Sequence, residues 1–283
     1  MMLRHVPAAP LNAAIACLWA SEREALPHGR ERNLPSGRAD LVIALRQEHL
    51  GRFDSPTDAS GERFCGALIQ GPQERCFFRD TSQASSVVGV QFQPAGAAAL
   101  LGLPMSELAN RRLALDDLLG RQAFEVRERL QAQPNAKERL RCLEAFLLQR
   151  LLRATPHEDD APIAWAVQQF HTRDARVETV RHELGWSAQR FIAQFLRRVG
   201  LAPKRYGRVR RFQSVIDRLA RGRDASWAQI ALDAGYADQA HLIREFRAFS
   251  GLTPTEYRAV APDQANHVAV AEKIFNTRAR HRR

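Results

Sequence analysis

Over the first 110 positions apolar residues come in short runs and alternations, the pattern of strands rather than helices. Leu41 to Leu45 is a continuous apolar run. Phe64 to Ile69 and Cys76 to Phe78 are two further strand candidates, and Val87 to Phe92 is a fourth, with Val88, Val90 and Phe92 alternating onto one face. Clusters of Gly, Pro, Ser and Asp at 35–40, 51–61 and 71–73 supply the turns. Pro94 opens a short helix, Ala95 to Leu101, that Gly102 closes. Across 113–153 the period lengthens to that of a helix. Leu140, Leu143, Leu147 and Leu151 form a stripe that Phe146, Leu148 and Leu152 widen beyond what one exposed face requires. Two uses fit it: packing onto the β-rich region, or a homodimer contact through 113–153.

From residue 163 the spacing is helical throughout. Val177, Val180 and Leu184 mark a support helix that ends at Gly185, a residue suited to the left-handed C-cap conformation. Ser187 is an N-cap for the next helix, which buries Phe191, Phe195 and Val199 and turns Ala188, Gln189, Arg190, Ala193 and Arg197 outward. Ser226 caps a helix with Trp227, Ile230 and Ala231 inward. Gly235 makes the turn, and Asp238 caps a helix that buries Leu242, Phe246 and Phe249 and exposes Gln239, His241 and Arg244. Between these pairs, Pro203 at N1 begins a helix to Arg221 on Tyr206, Val209, Phe212, Ile216 and Leu219.

The two helix pairs are copies. Gly200-Leu201-Ala202-Pro203-Lys204-Arg205-Tyr206 returns 51 residues later as Gly251-Leu252-Thr253-Pro254-Thr255-Glu256-Tyr257. Phe195 answers Phe246, and Gly185-Trp186 answers Gly235-Tyr236. A period of this size is one helical unit used twice. Two units are too few for a solenoid, which directs attention to a partner that is itself periodic, the grooves of duplex DNA. The connecting helix supports this. Its length, about 28 Å at ~1.5 Å per residue, approaches the ~34 Å between successive major grooves on one face of B-DNA.

Charge divides the chain in the same place. The net charge is +11, and residues 163–283 hold 22 Lys/Arg against 11 Asp/Glu, whereas residues 1–162 hold 20 of each. A basic segment joined to a neutral partner points to a polyanion. The stretch from Ala154 to Pro162, with two prolines and three acids, is a linker by composition. The domains expected are 1–153, β-rich with trailing helices; the linker 154–162; an all-α unit 163–262; and a basic tail 263–283 ending Arg278-Ala279-Arg280-His281-Arg282-Arg283. The fold class expected is α+β. Gln189, Arg190, Gln239, His241 and Arg244 occupy places where a helix-turn-helix meets base edges, Arg suiting guanine and Gln adenine. Arg197, Lys204, Arg208 and Arg211 are phosphate candidates, with Arg218 on the same face of the connecting helix. Each is equally an ordinary solvated side chain taken singly.

These residues resemble the AraC/XylS family of bacterial transcription regulators. The carrying stretch runs Ile230-Ala231-Leu232-Asp233-Ala234-Gly235-Tyr236-Ala237-Asp238-Gln239-Ala240-His241-Leu242-Ile243-Arg244-Glu245-Phe246 and continues through Gly251 to Arg258. The resemblance covers about residues 163–260. It implies two helix-turn-helix units in adjacent major grooves, with Gln239, His241 and Arg244 matching base-reading positions in the second unit and Gln189 and Arg190 in the first. Two departures stand out: Ala240 where Ser is frequent, and Ala193 in the slot that aligns with Arg244, so the first unit is thinner in base readers. The N-terminal half resembles a β-rich sensor domain found ahead of such units, on Leu34 to Leu41, Gly89 to Pro94 and Leu100-Leu101-Gly102. This implies effector sensing or dimerisation and names no ligand.

The function expected is a sequence-specific, one-component transcription regulator, not an enzyme, with no cofactor and no metal, acting in the cytoplasm at the nucleoid on operator DNA, with RNA polymerase as a further partner. The alternative is a DNA-binding regulator whose N-terminal half only dimerises or docks a partner protein. A DNA-alkylation repair protein would need four thiolates gathered on zinc, and Cys17, Cys65, Cys76 and Cys142 are scattered without a C-x-x-C pair. His28 and His49 with Glu31 and Glu48, and a Cys65/Cys76 thiol pair, are weaker candidates for metal or redox chemistry. No phosphate-cradling loop or nucleophile elbow is present. No apolar run reaches the length of a membrane span, and no signal peptide is read.

Overall fold

The computed structural model describes residues 2–172, 175–222 and 226–270. Its N-terminal strands are β1 (Met2–His5), β2 (Ile15–Arg23), β3 (Arg30–Asn33), β4 (Asp40–Ala44), β5 (His49–Phe53), β6 (Glu62–Cys65), β7 (Ala67–Gln70), β8 (Phe77–Asp80) and β9 (Ser85–Phe92). Then come helix α1 (Ala97–Leu101), strand β10 (Arg112–Ala114), and helices α2 (Leu115–Leu119), α3 (Arg121–Gln131) and α4 (Ala136–Arg153). The strands form two antiparallel sheets. One runs β1-β2-β9-β4-β7-β10; the second places β3, β8, β5 and β6 side by side.

Alternation on the first sheet feeds two different layers. Leu41, Ile43, Ile69, Val88, Val90 and Phe92 point to one face and pack with Leu100, Val126, Leu130, Leu140, Leu143 and Leu147 of the helices. The apolar stripe of α4 is thus spent within the chain, which leaves Leu152 and, on α3, Phe124 exposed. The opposite face turns toward the second sheet, where the apolar core is small: Val42, Ala44, Leu68 and Val87 meet Leu50. Around that patch the sheets enclose a cavity of about 710 Å³.

Several strands depart from the sequence reading. The run Phe64–Ile69 is two strands, β6 and β7, in different sheets, because Gly66 breaks it with φ +67°. The turn cluster at 51–61 begins inside a strand, since Gly51 and Arg52 pair with Arg63 and Glu62. Strands β2 and β3, and the short β1, were not expected.

The C-terminal half contains α5 (Asp160–Thr172), α6 (Val177–Glu183), α7 (Ala188–Val199), α8 (Pro203–Ala220), α9 (Trp227–Asp233), α10 (Gln239–Ser250) and α11 (Pro254–Val260). Asp160 opens α5, so the last three residues of the expected linker are helical; an acid in the first turn favours that start, and Pro162 near the N-terminus does not oppose it. Residues 267–269 lie inside the expected basic tail. They form strand β11 (His267–Ala269), which extends the second sheet by pairing with β3, His267 opposite Asn33 and Ala269 opposite Glu31. The basic run from Arg278 lies outside the described residues.

Helix α8 is the shared core. Tyr206, Val209, Phe212, Val215 and Ile216 are fully buried. Tyr206 meets Phe170 and Phe195 edge-on, and Phe212 lies 5.1 Å and 5.2 Å from Phe246 and Phe249. The N-terminal unit joins the same core through Leu34. Gln213 Nε2 donates to the Pro35 carbonyl at 2.8 Å, and Cys76 N donates to the Phe249 carbonyl at 3.0 Å.

Two predictions follow from these contacts. Gly200 and Gly251 are twins in the repeat, both at positive φ (+86° and +71°), but a Cβ on Gly200 would stand 2.8 Å from the Met105 carbonyl and from Pro72, whereas one on Gly251 meets nothing nearer than 3.8 Å. Gly200→Ala should therefore lower Tm distinctly more than Gly251→Ala, which carries only the backbone cost of about 1 kcal/mol; equal losses in thermal unfolding would remove the steric role. His171 Nε2 lies 2.7 Å from Tyr206 Oη, and burial, aided by Arg210 and Arg38, lowers its pKa to about 3. The folded state thus refuses a proton that the unfolded chain accepts below its ordinary value near 6.5. Stability should fall as pH drops from 7 to 5, by about 1 kcal/mol from this ring after screening by solvent. His171→Gln should make the decline shallower, and an unchanged pH profile of Tm would refute the assignment.

Candidate nucleic-acid interface and inter-sheet cavity

Each helix-turn-helix is built from local signals. In the first, α6 stops at Gly185 (φ +67°), and the Ser187 hydroxyl accepts from Arg190 N at 3.2 Å to start α7. In the second, Ser226 caps α9, Gly235 turns (φ +76°), and Asp238 Oδ1 accepts from His241 N at 2.6 Å to start α10. Satisfying these end donors fixes where each second helix begins, and with it which residues occupy its exposed first turns. Phe191, Phe195, Leu242 and Phe246 are fully buried on the inner faces.

The expected base readers differ in what holds them. Gln189, Gln239 and Arg244 are exposed and carry no ion pair among the described residues. His241 is half-buried: its ring lies edge-on to Tyr236, and its Nδ1 accepts from Ala237 N at 3.4 Å. Arg190 is not free. Its guanidinium lies 4.5 Å over the Trp186 ring, and Nη2 donates to Asp159 Oδ1 at 3.0 Å, with Glu158 at 3.8 Å. Asp159 is 2% exposed, and Asp160 pairs with Arg198 at 3.2 Å. The acidic stretch between α4 and α5, read from composition as having nothing to bury, is docked on α7.

The phosphate candidates divide too. Arg197 and Lys204 are exposed and without an ion pair among the described residues. Arg208 is held by both oxygens of Glu245, at 2.6 Å and 3.0 Å, a bidentate pair that cancels its charge locally. Arg211 stacks over Tyr236 at 5.8 Å, and Arg218 donates to Asp233 at 2.6 Å. The acids that hold Arg190 and Arg208 come from 31 and 37 residues away, so helical spacing gave no signal of Asp159 or Glu245 as their holders.

Residues 180–259 match the family described as a helix-turn-helix domain. This is an AraC-type helix-turn-helix domain. The chain that carries it is a DNA-binding transcription regulator. Residues 3–114 match a domain of unknown function (DUF6597), placed ahead of the AraC-type domain. ToxT from Vibrio cholerae O395 is similar in structure at 12% identity, with a TM-score of 0.46 over 87% of this chain and 99% of that one. Wild-type ToxT from strain SCE256 with bound unsaturated fatty acid gives 12%, 0.47, 91% and 94%. The C-terminal domain of the response regulator yesN from Fusobacterium nucleatum gives 18% and 0.33 over 36% of this chain and 99% of that one. No curated protein matches the chain.

The inter-sheet cavity reaches the AraC-type domain directly. Trp19, Asp40 and Arg52 line it from the two sheets, Asp217 and Ala220 from α8, and His267 from β11. His267 Nδ1 stands 3.0 Å from Arg79 Nη2, and burial, with Arg79 and Arg23 nearby, holds the ring well below its usual pKa, so it accepts as a neutral imidazole. The other chemistry raised by the sequence has no shared site. All four cysteines are free thiols: Cys65 is exposed at the end of β6, while Cys76 packs against the AraC-type core, where burial raises its pKa. Among the described residues no group of three His, Cys, Asp or Glu stands together for a metal, and no helix is long and apolar enough to cross a membrane.

Releasing Arg190 should expose its effect on DNA. Asp159→Asn keeps the shape and removes the charge, so a larger fraction of molecules presents a free guanidinium. The expected outcome is duplex affinity raised about threefold to tenfold at fixed salt. Unchanged affinity by fluorescence anisotropy would mean that the pair does not compete with DNA.

Proposed function

We propose that this protein is a one-component regulator that reads two adjacent stretches of major groove with α7 and α10 and receives a small effector in the cavity between its sheets. The observation that carries the reading is the position of α8. One helix supplies the core of both helix-turn-helix units and, through Asp217 and Ala220, part of the cavity wall. A ligand there touches the element that sets the relation between the reading helices. An effector acts only through a difference in affinity for two states of the protein, and a shared wall supplies one. Gln189, Gln239 and Arg244 are the free base readers, His241 and Arg190 join them when their present partners release, and Arg197 and Lys204 meet phosphates. Arg208 and Arg211 contribute chiefly by holding the domain together. A contact with a second copy or a partner through 113–153 is favoured only by Phe124 and Leu152, the large apolar side chains that α3 and α4 leave outside.

The test is selection of bound sequences from random duplex DNA by the full-length protein. A motif with two elements about 10 base pairs apart is expected. Arg244→Ala should then cost about 1–3 kcal/mol on the selected site and relax preference at one base pair. Equal weakening on selected and random DNA would take Arg244 out of base reading.

A further inference from the structure

The second sheet places charge where the inter-sheet core is thinnest. Glu62, Arg52, Arg79 and Glu31 stand in cross-strand register on β6, β5, β8 and β3. Arg52 and Arg79 are therefore like charges directly opposite each other, an arrangement that costs a sheet stability. The acids at the two ends of the row do not relieve it evenly. Glu31 is 8% exposed; it accepts from Arg79 Nε at 2.5 Å and lies 3.9 Å from Arg23. Glu62 is drawn away to Arg112, 2.7 Å from Nη1. Arg52 is left 7% exposed, hydrogen-bonded through Nη1 to the Gly51 carbonyl at 2.9 Å, with no partner for Nε and no ion pair among the described residues. Burial, then Arg79, Arg112 and Arg23, brings its pKa down to about 9.

The facing sheet offers little compensation. Gln70 is 3% exposed; Arg112 Nε donates to its Oε1 at 3.2 Å, which turns the amide nitrogen the other way, and that nitrogen has no partner among the described residues. Burial raises Asp40 to about 7, so it supplies only part of a charge at neutral pH. Asp80 accepts from the backbone and hydroxyl of Ser82 at 2.8 Å and 2.6 Å. Arg23, Arg52 and Arg79 line the cavity, as do Asp217 and Asp263, but among the described residues Glu31 is the one carboxylate in ion-pair range of any of the three. A buried cation without an ion pair is expensive, and Arg52 faces open space large enough for a metabolite.

We infer that the cavity is an oxyanion site, in which a small polar metabolite bearing a carboxylate or phosphate group binds between the sheets against Arg52 and Arg79, with the Gln70 amide as a further donor. The inference rests on the effector reading above and gives that effector a chemical class. A long-chain acid fits less well, because charged side chains line the cavity from both sheets.

The experiment follows thermal unfolding of the full-length protein with citrate, inorganic phosphate or sulfate, at ionic strength held constant with sodium chloride. At least one oxyanion should raise Tm by roughly 4 °C over chloride alone; citrate without phosphate would mark a carboxylate ligand, and phosphate or sulfate without citrate a phosphate ester. Arg52→Gln should melt higher than the wild type in chloride, since it removes a like-charge pair, and should lose most of the oxyanion gain. Gln70→Leu, which leaves the charges in place, should also reduce the gain and serves if Arg52→Gln does not fold. Three results would overturn the site: no gain with any of the three anions, a gain fully retained in both variants, which would locate binding on the basic DNA-binding surface, or a gain with oleate alone. DNA affinity measured with the effective anion separates the two claims. A gain in Tm with DNA affinity unmoved keeps the site and removes the effector reading, whereas DNA binding that responds to a neutral ligand without any oxyanion gain does the reverse.

Discussion

The packing of α8 against three neighbours at once, the two helix-turn-helix units and the N-terminal unit, is the constraint from which the rest of this structure follows. A helix that joins two DNA-reading units needs only one apolar stripe for each. This one also meets the N-terminal unit, and its buried set therefore includes a polar residue, Gln213, whose amide must be satisfied there. It is satisfied by Pro35 and by Asn266, at 2.8 Å and 3.0 Å, one from the first sheet's approach and one from the segment after the second helix-turn-helix. Tyr206 and Phe212 lie on the same helix and anchor the two aromatic clusters, so the two reading helices cannot shift independently without breaking close-packed contacts. Strand β11 then returns from α11 to β3, tying the far end of the DNA-binding half to the second sheet.

What the sequence made legible is what local chemistry decides. Ser187, Ser226 and Asp238 cap helices because a side-chain oxygen three residues ahead of an orphan N–H satisfies it wherever the chain goes. Gly185 and Gly235 turn because positive φ is cheap for glycine alone. The 51-residue repeat multiplied these signals, and the second half of the fold was readable from them. The first half was readable where strands pack against helices, as in β4 and β9, whose apolar alternation is the ordinary one. In the second sheet the apolar pattern marked β8 and part of β6 but missed β3. Strand β3 reads Arg30-Glu31-Arg32-Asn33 and looks like a solvated loop, yet Glu31, Arg32 and Asn33 are buried. Hydrophobic periodicity cannot find a strand whose buried face is charged.

The same limit applied to the site. Composition showed a neutral N-terminal half, 20 cations against 20 anions, and neutrality concealed how unevenly the charges lie in space. Acids at 158–160 face α7 of the other half, Glu62 and Asp54 are taken by Arg112, and Arg52 stands in the cavity wall without an ion pair among the described residues. Conversely, the +11 of the whole chain overstates what is presented to DNA, because Arg190, Arg208 and Arg218 each spend charge on an acid within the fold. Net charge is a sum over the chain, whereas recognition depends on which cations lack a partner.

These two distributions bear on each other. If the cavity holds an effector as proposed, one helix separates it from the proposed DNA face, so coupling would require no long chain of side-chain movements, only two packings of α8 against the sheets that differ in energy. The structure holds one of them, with β11 clipped to Arg79 through His267 and Arg190 clipped to Asp159. Both are side-chain contacts, which can exchange partners while the aromatic clusters and the β3–β11 ladder stay intact. On the proposed reading the element that moves need not be a domain: replacing Arg79's partner on one side of α8 and Arg190's on the other would change both surfaces while the double helix-turn-helix stays a rigid body.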